Sequence, residues 1–183
     1  MKNCIFLFFI FLSISIFAQT EKDFVLNSPN GKIKATIVVN DNVTWTVSHE
    51  KDIVLAPSAM SLTLNENEVL GKNPLLLNSK RGKVNNSFET PFYKKSVVKN
   101  QYNFLILNFK NNFSIEYRAF DDGVAYRFIT NKKGQITVQD EQVSLNFDKD
   151  YKTLIPYVRD LRNPKDPYIS SFESHYENKK ISE

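Results

Sequence analysis

A chain of 183 residues that is 42% hydrophobic, 13% aromatic and 24% charged has the makeup of one soluble globular domain with a core of its own. Its net charge of +4 argues against a nucleic-acid face, because the Lys-Lys pairs at 94–95, 132–133 and 179–180 are scattered rather than clustered. One cysteine, two histidines and five singly spread glycines exclude a disulfide framework, a Cys- or His-built zinc site and a glycine-rich phosphate loop.

In chain order, residues 1–19 read as a secretory signal peptide: Lys2, an apolar run from Cys4 to Leu12 continuing to Phe17, then Ala18-Gln19. The expectation is an exported protein, periplasmic or secreted, with no membrane attachment once the leader is removed. Cys4 stands at the front of the apolar run and is poorly placed to carry a lipid, so the mature chain has no cysteine. Residues 20–183 form the domain. Phe24-Val25-Leu26 is a strand, Pro29-Asn30-Gly31 a turn, and Lys32 to Val39 a strand whose Ile33, Ala35, Ile37 and Val39 share one face. Asn40-Asp41-Asn42 turns the chain into Val43 to Ser48, with Val43, Trp45 and Val47 on a common side. Ile53-Val54-Leu55 reads as a short strand closed by Ala56-Pro57-Ser58, and Met60 to Leu64 as another.

From Leu70 to Thr90 the periodicity is lost among Gly71, Pro74, Gly82 and Asn85-Asn86, which predicts a long irregular connection. Phe92 to Val98 and Phe104 to Phe109 are strands about a turn at Asn100-Gln101. Then comes the segment 115–128, two aromatic-rich alternating runs about Asp122-Gly123, which predicts a β-hairpin. A two-residue Asp122-Gly123 loop sets Arg118 opposite Arg127, whereas a three-residue loop from Asp121 sets Arg118 against Tyr126. Opposed guanidiniums repel, so Arg118 or Arg127 is expected to hydrogen-bond a carboxylate, with Glu116, Asp140 and Glu141 the nearest in sequence. Gln135 to Val138, Val143 to Phe147 and Thr153 to Tyr157 complete the strands. Short strands with turn chemistry between them and no sustained 3.6-residue period predict an all-β fold, an antiparallel β-sandwich.

For chemistry, the residues offer little. His49 and His175 read as surface histidines, and no Gly-x-Ser-x-Gly exists to present a nucleophilic serine. Trp45 could stack on a sugar ring, but its place on an alternating strand favours the core. Taken alone, the chain reads as a binding or scaffold domain.

Ser28-Pro29-Asn30-Gly31-Lys32, Val54-Leu55-Ala56-Pro57-Ser58, the run from Tyr117 to Phe128 and Ser171-Phe172-Glu173-Ser174-His175-Tyr176 together resemble the amino-terminal domain of glycoside hydrolase family 97. The resemblance implies a β-super-sandwich placed before a catalytic (β/α)8 barrel, in exported enzymes that cleave α-glucosidic or α-galactosidic bonds. It implies a structural role for Arg118, Asp122, Gly123 and Arg127, and marks Glu173 as a calcium ligand in the full-length pattern. Since calcium takes six to eight oxygens, no tight binding is expected of this chain alone.

Family-97 catalysis draws its carboxylates mainly from the barrel, and the chain reaches Glu183 before a barrel strand, so it is expected to lack the last strands of the sandwich and to be inactive by itself. Its partners are then an α-linked oligosaccharide or galactoside and the barrel, with no nucleic acid. Residues from about Asn163 onward are expected to be mobile. The alternative is a free-standing exported carbohydrate-binding β-sandwich with no catalytic partner, and reading the DNA beyond Glu183 for barrel-coding sequence separates the two.

Overall fold

Twelve strands and one short 3-10 turn account for the regular structure of residues 22–157 and 175–183, the part that the computed structural model describes. The signal-peptide reading, Glu173 and most of the segment from Asn163 lie outside these residues. The first sheet is built from β1 (Lys22–Asn27), β2 (Ile33–Val39), β3 (Val43–His49), β4 (Asp52–Leu64) and β5 (Val69–Leu70). The second is a meander of β6 (Leu76–Glu89), β7 (Val97–Phe109), β8 (Phe113–Phe120) and β9 (Gly123–Thr130). The chain then returns to the first sheet as β10 (Val138–Val143), which pairs with β4, and ends in an antiparallel pair of strands, β11 (Lys152–Pro156) and β12 (Tyr176–Lys180). Every pairing is antiparallel, as the alternation predicts.

The alternating residues decide which faces meet. Ile33, Ala35, Ile37 and Val39 of β2, with Val43, Trp45 and Val47 of β3, are buried against Leu105, Leu107 and Phe109 of β7 and Ile115, Tyr117 and Ala119 of β8. Removing that much apolar surface from water is what holds the two layers together. Tyr117 is buried to its hydroxyl, which donates to Met60 Sδ at 3.2 Å; burial pushes its phenol well above the ordinary range, so it stays neutral.

Five expectations about strands are corrected. Residues 52–64 form one strand rather than two. Trp45 pairs with Ser58 and Val47 with Leu55, so two residues of β4 oppose Thr46 alone, and Pro57, with no N–H to give, sits in that bulge. Asn146 closes the exposed side, its amide donating to the Pro57 carbonyl and its backbone N–H to Ser58 Oγ. Residues 76–89, expected to be irregular, are a strand paired along its length with β7. Gly82 is accommodated there because the Phe104 ring lies across it, where a Cβ would have to sit. Asn100 and Gln101 do not turn but lie inside β7, and residues 90–96 form the turn instead. The two strands expected at 135–138 and 143–147 are replaced by one, Val138–Val143, which lies between them. At the chain's end, Tyr176–Lys180 was expected to be loose and is a strand paired with β11.

Candidate functional site

The meander turns one face to the core and the other outward, and the outward face carries a cluster of charged and amide side chains. Across it, Lys80 pairs with Ile106, Ile106 with Glu116 and Glu116 with Arg127. In the next row Phe104 pairs with Arg118, and Arg118 with Ala125. Glu116 therefore has Arg118 two residues along its own strand and Arg127 directly across. Arg118 Nε donates to Glu116 Oε1 at 2.8 Å, and Arg127 Nε donates to Oε2 at 2.5 Å. The Arg118 guanidinium also lies over the Tyr102 ring, 4.7 Å from its centroid, and Tyr102 meets Phe120 at 5.0 Å. One row away, Ser114 Oγ donates to Asn108 Oδ1 and Asn108 Nδ2 to Asn78 Oδ1, each at 2.7 Å.

Glu116 is only 5% exposed although it lies on the outward face. Burial pushes its carboxyl up, but the hydrogen bonds and charges of Arg118 and Arg127 outweigh that and hold it below its ordinary value; Arg118 is raised in return, chiefly by its bond to Glu116. A group so held is a carboxylate at neutral pH. It is unsuited to donating a proton to a leaving group, which needs a raised pKa.

Glu116→Gln leaves two guanidiniums facing one neutral amide. Because both arginines are partly exposed, water screens much of the repulsion, and the expected loss is about 2 kcal/mol. A depressed native pKa contributes stability that is present above the unfolded value, near 4.5, and lost as pH falls through the lower native value. The gap between native and Glu116→Gln urea midpoints should therefore be full at pH 7 and shrink at pH 3. An unchanged gap would show that the charge is not the cause.

The expected carboxylate partner of the arginines is thus Glu116. Glu141 is engaged elsewhere, accepting from Tyr126 Oη at 2.9 Å. Neither expected hairpin register is the observed one. Phe120 pairs with Gly123, so the loop is Asp121-Asp122, and Arg118 faces Ala125 rather than Arg127 or Tyr126. None of Phe120, Asp121, Asp122 and Gly123 has a positive φ, which excludes the type II, I′ and II′ turns. The left-handed pair belongs instead to Asn111 and Asn112, at φ 68° and 57°, in the turn from β7 to β8.

The loop is accordingly neither the two-residue Asp122-Gly123 nor the three-residue one from Asp121 to Gly123. The residue that sequence reasoning missed is Asp121, whose Oδ1 accepts the Asn30 backbone N–H at 2.8 Å and ties the hairpin tip to the turn between β1 and β2. Pro29-Asn30-Gly31 was a legible turn, but nothing in the sequence places it beside residue 121. Trp45 is in the core, and His49 and His175 are exposed. Among the described residues, no three or more His, Cys, Asp or Glu side chains stand together to hold a metal ion, and Glu173 lies outside them.

The sequence profile of the glycosyl-hydrolase 97 N-terminal family matches residues 26–183. The chain belongs to that family. This family-97 domain is 35% identical over 166 residues to the retaining alpha-galactosidase of Bacteroides thetaiotaomicron, a match that covers 90% of the chain and 25% of the relative. It therefore spans a quarter of that enzyme's length. Among solved structures, a glycoside hydrolase family 97 enzyme from Pseudoalteromonas sp. strain K8, in complex with panose, aligns with a TM-score of 0.65 at 20% identity, over 73% of this chain and 22% of that one. A beta-arabinopyranosidase aligns with a TM-score of 0.70 at 21% identity, over 85% of this chain and 26% of the other. At such identities the likeness establishes the fold: the family-97 domain is an antiparallel β-sandwich.

Proposed function

We propose that this chain is the N-terminal scaffold domain of an exported glycoside hydrolase acting on α-linked galactosides or glucosides, and that it forms part of the wall of the sugar site without cleaving the bond itself. The observation that carries the reading is the 35% identity to a retaining alpha-galactosidase of which the chain spans a quarter. The chemistry of the described residues supports the division of labour. Glycoside hydrolysis needs two carboxyl groups flanking one sugar, one able to donate a proton. The buried carboxylate among the described residues, Glu116, is committed to Arg118 and Arg127 and held below its ordinary pKa. In this reading the partner is a catalytic barrel and the substrate an α-linked oligosaccharide or galactoside. Glu173 would contribute one oxygen to a calcium ion completed by that barrel, the ion supplying a fixed positive charge beside the sugar.

The test is nitrophenol release from nitrophenyl α-galactoside and α-glucoside by the purified chain, where no turnover above buffer is expected. Turnover that persists through repurification and disappears on Glu173→Gln would overturn the proposal, because it would place a working acid or nucleophile within these residues.

A further inference from the structure

Beside β1 the two sheets part to form a cleft of about 480 Å³, large enough for one sugar ring. Arg81 and Lys83 line it from β6, two residues apart on one side of the strand and so about 7 Å from each other. Arg81 Nη1 donates to the Val25 carbonyl across the gap, which fixes the guanidinium and leaves most of its donors free. Asn103 Nδ2 donates to the Asn27 carbonyl at 2.7 Å, which fixes that amide too. Its Oδ1 is then an oriented acceptor that no described residue fills. No carboxylate lines the cleft, and neither cation has an ion-pair partner among the described residues.

Inward-pointing cations on an edge strand also discourage pairing with other chains, and β6 is an edge. That role needs no oriented acceptor beside them. We propose that the cleft binds a hydroxylated carboxylic acid of monosaccharide size, a hexuronic acid. The carboxylate meets Arg81 and Lys83, and a ring hydroxyl donates to Asn103 Oδ1. The charge and the acceptor stand on this geometry alone, whereas the choice of a sugar acid over another hydroxy acid rests on the glycosidase-domain reading.

The experiment is titration of the ¹⁵N-labelled purified chain with galacturonate, galactose, lactate and acetate, following the Gly82 amide and the Asn103 side-chain amide. Galacturonate should shift both signals saturably, and the other three should bind at least about tenfold more weakly, the loss of one charge-assisted contact or of the ring hydroxyls. Lys83→Met, at an exposed side chain with no partner among the described residues, should weaken galacturonate several-fold with the fold intact. Arg81→Met should weaken it further, with the amide spectrum reporting the fold. Equal binding of galactose, of lactate or of acetate overturns the proposal, as does the absence of shifts at Gly82 and Asn103. None of these outcomes bears on nitrophenol release, so the two readings fail separately.

Discussion

Trp45→Ala should lower the unfolding free energy by about 4 kcal/mol, the largest single effect expected in this chain. The indole is 7% exposed and sits between the sheets, edge-on to Tyr126 at 5.4 Å and tilted against Tyr117 at 6.3 Å. Truncation removes that apolar area and leaves a cavity that two rigid strands cannot collapse around. It also unseats Tyr126, whose hydroxyl reaches Glu141 and joins β9 to β10 at the side of the sandwich. Guanidinium titration followed by circular dichroism measures the loss, and Trp45→Phe should recover part of it. A loss below about 1 kcal/mol would mean that the ring is a surface group, available to stack on sugar, and the core assignment would fall.

Gly71→Ala should cost about 3 kcal/mol for a change of one methyl group. The residue has φ +93°, where an L side chain is strained by about 1–2 kcal/mol, and its Cβ would stand 2.8 Å from the Met60 carbonyl oxygen. That oxygen belongs to β4 and cannot swing aside as a side chain would. The Gly71 carbonyl also accepts the Val43 N–H at 3.0 Å, so displacing the backbone loosens the start of β3. Gly123→Ala is the control, since a Cβ there meets nothing within 4 Å and the backbone has no positive φ. The same denaturant titration on both variants decides the matter: similar losses would mean that neither the close approach nor the φ at Gly71 governs its cost.

Much of the sandwich is legible in the sequence wherever one strand face is buried and the other wet. Ile33, Ala35, Ile37 and Val39, and likewise Val43, Trp45 and Val47, announce their face by alternation, and all are buried. In the central hairpin the faces are legible and the register is not. Moving the loop from Asp122-Gly123 to Asp121-Asp122 shifts the pairing by two residues, which keeps every side chain on its own face and so leaves no trace in the hydrophobic pattern. The strand at 76–89 is hidden for another reason. As an edge it is mostly exposed, and its ladder with β7, which makes it a strand, consists of backbone groups that no side-chain pattern records. Of the outward cluster, a carboxylate partner is expected from guanidiniums set opposite each other; the observed register does not oppose them but places Glu116 beside Arg118 and across from Arg127, which only the register reveals.

The topology also sets an order in time. Within the two larger sheets nearly every strand pairs with its immediate neighbour in the chain, so short loops close the hairpins and little chain entropy is spent on each. The pairing of β10 with β4 is different: Val143 meets Met60 only after all four strands of the second sheet have been made between them. A contact of that sequence separation forms slowly unless the intervening chain has already shortened the distance. We infer that the meander of β6 to β9 folds first and carries β10 to its place, so that the bond between Tyr126 and Glu141 is a late event. Pulsed hydrogen exchange during refolding addresses this directly, and amides of β10 protected before those of β7 and β8 would reverse the order.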